Sequence, residues 1–216
     1  MKNAFFSTSK KLGILGGGQL GKMLLTVTQQ WDIYTKVLDP DQNSSCKIAC
    51  NEFVLGNFRD YDTVYNFGKD CDVVTVEIEH VNTDALLQLE KEGIKIHPSP
   101  SALNIIKDKG LQKQFYEQHQ LPTSPFFLIE HKKDLLGKLK ENKILFPFVQ
   151  KTRTAGYDGK GVQVVKTEND IWDIPSVIEN LISIEKEIAV IASRNEAGEI
   201  QLFDAVYMQV HEHANM

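Results

Sequence analysis

Lys151-Thr152-Arg153-Thr154-Ala155-Gly156-Tyr157-Asp158-Gly159-Lys160-Gly161 is the stretch on which the fold turns. It holds three glycines, three cations and two threonine hydroxyls. The residues on either side read as strands, 146–153 before the tip and 161–166 after it. The loop therefore joins two strands of a hairpin, not a strand to a helix. A hairpin tip so rich in glycine can fold over an anion, and its N–H groups and cations suit a triphosphate. A dinucleotide-binding fold has no place for this element. An ordinary basic surface hairpin would share the composition, so the loop alone leaves both readings open.

Outward from this loop the pattern is that of an α+β domain. Strands are expected at 126–129, 176–182, 187–193 and 200–209, with a helix at 131–142. The turn Asn195-Glu196-Ala197-Gly198 joins the last two strands into a hairpin. A polar helix is expected over 101–119, preceded by the break His97-Pro98-Ser99-Pro100, where the domain boundary falls. The division is 1–104 for the first domain and 105–216 for the second, with a lid over about 123–183 and a further part from 184.

The first domain alternates short apolar runs with amphipathic ones. Strands are expected at 12–15, 34–38, 52–55, 73–76 and 94–96. Helices fall at 19–31, with Leu20, Leu24 and Val27 on the apolar face, at 60–67 after an Asp60 cap, and at 83–92 after Asn82 or Thr83. This order predicts a parallel, doubly wound sheet.

Gly16-Gly17-Gly18-Gln19-Leu20-Gly21 sits between the first strand and helix and fits G-x-G-x-x-G. Asp39 ends the second strand, where a dinucleotide fold places its ribose-binding acid. Glycines here either let the backbone approach an anion or permit tight strand–helix packing. Gly16 with Gly21-Lys22 also nearly spells a P-loop, but Met23 replaces the Ser or Thr that must ligate magnesium. The motif means phosphate or tight turn and no more.

Composition narrows the classes. The net charge of −5 argues against nonspecific binding to nucleic acid or anionic membrane, while leaving phosphate ligands open. Cys46, Cys50 and Cys71 form no paired framework, which suits reduced thiols in the cytoplasm. The opening MKNAFFSTSKK has no uninterrupted apolar run, so no signal peptide is expected. His211-Glu212-His213 offers only two imidazoles on an extended segment, and no metal site is assigned to it.

Taken together, Ile14-Leu15-Gly16-Gly17-Gly18-Gln19-Leu20-Gly21-Lys22-Met23, Ile106-Lys107-Asp108-Lys109 with Gln112-Lys113, Leu121-Pro122-Thr123 and Thr154 to Gly161 carry a resemblance. The chain resembles the ATP-grasp superfamily, and within it the N5-carboxyaminoimidazole ribonucleotide synthase family. The resemblance implies a Rossmann-like preATP-grasp domain followed by an ATP-grasp domain. It implies the ATP-dependent joining of bicarbonate to the amine of 5-aminoimidazole ribonucleotide, through carboxyphosphate, in purine biosynthesis.

The same resemblance implies residue roles. Lys109 and Lys151 meet ATP phosphates; Gly156, Tyr157, Asp158, Gly159, Lys160 and Gly161 form the lid over the triphosphate. Tyr157 and Lys160 also face the reacting groups. Glu179, Asn180, Leu181 and Ile182 form the hinge whose backbone edge meets adenine, and Glu187 accepts the ribose hydroxyls. Gly18, Gln19 and Leu20 then serve the ribonucleotide instead of NAD; Glu77 and Glu79, at the end of the fourth strand, occupy the usual ligand crevice of an open sheet, where a substrate contact is expected. Ala155 stands where the family often has glycine. Family members run on past Met216, where their magnesium-binding Glu and Asn lie, so a fragment with an open sheet edge is expected, and no metal ligand within it. The family precedent is a homodimer. Rival readings are a formate-using transformylase, a biotin-carboxylase-like ligase, an NAD oxidoreductase, and a nucleotide binder without turnover.

Overall fold

The computed structural model describes residues 9–154, 156 and 161–208. Its first half is a five-stranded parallel sheet of β1 (Lys11–Leu15), β2 (Tyr34–Asp39), β3 (Glu52–Leu55), β4 (Val73–Val76) and β5 (Lys95–His97), in the order β3-β2-β1-β4-β5. Side chains alternate across a strand, so each strand feeds two cores. On one face, Ile14 and Val37 pack with Leu25 of helix α1 (Gln19–Gln30) and with Cys46. On the other, Leu15, Leu38 and Val74 meet α2 (Tyr61–Gly68) and α3 (Thr83–Lys91) through Val64, Phe67, Leu86 and Leu89. Helices on both faces make the sheet doubly wound. Asp60 and Asn82 accept the N–H groups of Thr63 and Ala85 and so start α2 and α3 at the expected places.

The strand order reverses between β1 and β4. The crevice above such a switch point is where open α/β sheets bind ligands. Both Gly16–Gly18 and Glu77 lie at that crevice, one at the end of each strand.

Two expectations are corrected here. Leu20, Leu24 and Val27 of α1 are exposed, and the helix buries Gly21, Leu25 and Thr28 instead. The polar helix expected over 101–119 is two helices, α4 (Pro100–Lys107) and α5 (Lys109–Gln118), because Asp108 is extended and caps the second by accepting from Gly110 and Leu111 N–H. Leu103 of α4 packs into the core of the first sheet.

The second half is a four-stranded antiparallel sheet, β6-β9-β7-β8, made of β6 (Phe126–Ile129), β7 (Phe148–Thr152), β8 (Val162–Val165) and β9 (Ser176–Asn180). Helix α6 (Lys132–Lys140) covers it, with Leu135 packed against Ile129, Phe148, Val165 and Ile178. The fully buried Gln150 is satisfied on both ends: its amide donates to Trp172 O and Ser176 Oγ, and its oxygen accepts from Trp172 N–H and Gln163.

Past β9 the expected long hairpin is interrupted. Strands β10 (Glu187–Ala189) and β13 (Val206–Met208) pair, and β11 (Ala192–Arg194) pairs with β12 (Ile200–Leu202) across the expected turn. Most side chains of these four strands are exposed. No described helix is long and apolar enough to cross a membrane.

Candidate functional site

Two clusters collect the residues singled out from the sequence. The first is the glycine loop at the switch point. Gly16 has φ +98°, a conformation that favours glycine, and a Cβ there would stand 2.7 Å from Glu77 Oε2. A Cβ on Gly18 would stand 2.6 Å from Glu77 Oε1. The missing side chains thus make room for a carboxylate folded down over the loop. Glu77 is placed by the ladder itself, its N–H donating to Leu15 O. Gln19 and Leu20 open α1 beside it, at a helix start that has no side-chain cap.

Asp39 closes the same loop from behind. Its Oδ2 accepts the Gly17 N–H at 2.7 Å and its Oδ1 accepts the Asp41 N–H at 2.7 Å. Ser44 donates to Gly17 O, and Ser45 to Gly17 O and Gly18 O. Both oxygens of Asp39 are thus engaged by backbone N–H groups, so its part here is to brace the loop. Glu79 is partly exposed, with Oε1 3.5 Å from His80 Nε2.

The second cluster lies where α5, β7 and β9 meet. Glu179 is nearly buried, and its two carboxylate oxygens each hold an ammonium at 2.6 Å, Lys113 on Oε1 and Lys151 on Oε2. Burial pushes the Glu179 carboxyl up, but the two ammoniums outweigh it and hold the group below the usual range. Lys109 reaches the glycine-rich hairpin, donating from Nζ to Gly156 O at 3.2 Å, while its backbone N–H donates to Arg153 O at 2.8 Å. Gly161 returns the hairpin to β8 at φ +76°, its carbonyl accepting the Thr152 N–H. Tyr157, Asp158, Gly159 and Lys160, with Ala155, lie outside the described residues, as do His211, Glu212 and His213.

The hinge splits into two parts. Glu179 is paired in register with Phe126 and with Val149, and Asn180 donates its N–H to Pro125 O and accepts from Ser124 Oγ. Leu181 and Ile182 lie past the end of β9 and are exposed, so the strand expected to reach 182 stops at Asn180. Glu187 is exposed on β10, and among the described residues no hydrogen bond or ion pair joins it to the cluster around Glu179.

A third feature was not singled out in the sequence. Arg153 makes a two-pronged contact with Asp108, Nε to Oδ1 at 3.0 Å and Nη2 to Oδ2 at 2.7 Å, and adds Glu130 at 2.9 Å. Burial raises the Asp108 carboxyl, but Arg153 and the two cap N–H groups outweigh it and hold it low. This pair fixes the start of α5, and with it Lys109, against the base of the hairpin. Lys113 and Asp108 both belong to stretches quoted for the resemblance. Their partners, Glu179 and Arg153, lie 66 and 45 positions further along, which local spacing does not connect.

Residues 9–107 match the ribonucleotide synthetase preATP-grasp domain, and residues 114–215 match the ATP-grasp domain. The chain belongs to the ATP-grasp family. Phosphoribosylaminoimidazole carboxylase of Candida glabrata is 35% identical over 208 residues, covering 92% of this chain and 36% of the relative. N5-carboxyaminoimidazole ribonucleotide synthase of Staphylococcus haemolyticus is 31% identical, covering 94% and 55%. N5-carboxyaminoimidazole synthase of Aspergillus clavatus, solved in complex with ADP and 5-aminoimidazole ribonucleotide, superposes with a TM-score of 0.82 at 30% identity, covering 95% and 55%. The chain spans about half or less of the length of these relatives. The match places this chain with the carboxyaminoimidazole branch of the ATP-grasp proteins.

Among the described residues no group of three or more His, Cys, Asp or Glu side chains could hold a metal ion. They therefore assign no magnesium ligand.

Proposed function

We propose that the chain carries the nucleotide-holding half of an ATP-dependent ligase that carboxylates 5-aminoimidazole ribonucleotide with bicarbonate. The observation that carries this reading is the convergence of Lys109, Lys151 and the Gly156 hairpin beside the buried Glu179. Cations and a glycine-rich tip converge there at the hinge strand, an arrangement suited to a triphosphate. ATP enters with magnesium as its counter-ion.

In this reading a bicarbonate oxygen attacks the γ-phosphorus of ATP, the bond to the ADP oxygen breaks, and carboxyphosphate forms. The ribonucleotide amine then attacks the carboxyl carbon, phosphate leaves, and the nitrogen loses a proton. Little of this needs covalent help from side chains. The protein's part is to hold the phosphates, gather the reactants and exclude water. Lys109 and Lys151 offset phosphate charge, Gly156 to Gly161 cover it, and Tyr157 and Lys160 face the reacting groups. Leu181 and Ile182, past the paired part of β9 and without a backbone partner among the described residues, offer their edge to adenine, with Glu187 for the ribose. Gly18, Gln19, Leu20, Glu77 and Glu79 line the switch-point crevice for the ribonucleotide, where a carboxylate suits an amine or hydroxyl better than a phosphate. The work is done in the cytoplasm by a homodimer, on the family precedent.

The relatives' names favour this acceptor over formate-using or biotin-dependent ligases, and the engaged Asp39 disfavours NAD. Phosphate release from Mg-ATP is the test, with the ribonucleotide and bicarbonate added separately and together. Release that depends on the ribonucleotide is expected. Release that ignores it, with formate-driven turnover of another amine, would move the chain to a different ligase.

A further inference from the structure

Lys113 has no part in the phosphate contacts above, yet it is held more firmly than Lys151. Its side chain is 13% exposed, against 31% for Lys151, and both share the carboxylate of Glu179. Lys113 is also anchored by Thr123 Oγ1 and by Ser124 O at 3.5 Å, at the entry to β6. Lys151 has no described side-chain partner besides Glu179. One carboxylate between two ammoniums leaves one positive charge in excess, and the looser, more exposed cation is the one free to turn outward.

We propose that Lys113 is a positioning residue for the nucleotide's phosphates: by holding Glu179 from behind, it leaves the charge of Lys151 free for them. The proposal rests on the ATP reading above. Without Lys113, Glu179 and Lys151 form a neutral pair in a largely buried place. A phosphate must then break that pair before it gains Lys151, and breaking a desolvated pair is costly. The loss scales with phosphate charge, because it acts through an ammonium that meets phosphate and not the base or sugar.

Equilibrium titration of ATP, ADP, AMP and adenosine separates these effects. The K113M substitution is expected to weaken ATP about tenfold, about 1.4 kcal/mol, to weaken ADP and AMP progressively less, and to leave adenosine unchanged. K113R is expected to bind as the wild type does. The double variant K113M/E179Q restores the single excess charge and is expected to recover most of the ATP affinity, which a merely structural role would not allow. Should K113M not fold, E179Q against K113R carries the same test, since E179Q frees Lys151 and is expected to tighten ATP. Wild-type protein that binds no nucleotide would overturn the ATP reading itself. Wild-type binding with unchanged K113M, or equal losses for ATP and adenosine, would overturn the role of Lys113 alone.

Discussion

Replacing Asp108 with asparagine removes one charge and turns the oxygen that accepts from Arg153 Nη2 into a donor, while leaving one oxygen for the cap. Asparagine is as good an N-cap as aspartate, so the Gly110 and Leu111 N–H groups keep an acceptor and α5 keeps its start. What is lost is the charge of the contact with Arg153 and its Nη2–Oδ2 prong; the Arg153 side chain is 23% exposed against 18% for Asp108. Fully buried pairs that lose one partner cost about 3–5 kcal/mol, and exposed ones about 0–1. A pair about one-fifth exposed falls between, and Arg153 retains Glu130, which is itself exposed. The expected cost of D108N is therefore about 1–3 kcal/mol at about pH 7. D108A removes the cap as well and is expected to cost about 1 kcal/mol more.

The pH dependence carries the sign. Asp108 is held below its ordinary value in the folded chain, so the unfolded chain binds the proton more readily. Its stabilisation is complete above the unfolded pKa of about 4 and is lost as pH falls through the lower folded value. The gap between wild type and D108N should then close as pH falls from about 7 towards about 3. Urea unfolding followed by fluorescence is the assay, because Trp172 lies against the second sheet through Gln150. A cost at neutral pH below about 0.5 kcal/mol, the range of ordinary surface changes, would refute the clamp. So would a gap that stays constant with pH.

Two further outcomes are expected. Leu25 is fully buried and Leu24 is 38% exposed, so L25A should cost about 2–5 kcal/mol and L24A no more than about 0.5 kcal/mol in urea unfolding; the reverse order would put the wrong face of α1 on the sheet. Amides of the two-stranded β10–β13 and β11–β12 ladders should exchange with deuterium well before those of β1, β2 and β4, because exposed two-stranded ribbons open without disturbing a core. Equal protection would show that something covers those ladders.

What the sequence made legible follows the range of the forces involved. The five parallel strands and the caps at Asp60 and Asn82 rest on neighbours within a few residues, and they stand where periodicity and cap chemistry put them. Helix α1 departs from its expected face for a local reason. Leu20, Leu24 and Val27 form a plausible apolar stripe, but the tight glycine loop feeds the helix in with Gly21 against the loop, and Leu25 and Thr28 follow it inward. The break at Asp108 is local in its cap, but the Arg153 contact that holds it comes 45 residues later. The same distance effect reshapes both glycine motifs. The first suits a phosphate or a tight turn by sequence, and its glycines make room for Glu77, at the end of another strand. The hairpin suits a phosphate cover by sequence, and the charge beside it depends on Lys113, Lys151 and Glu179 from three different elements. A glycine motif reports where the backbone needs room; which group occupies the room is decided by the strand that the fold brings alongside.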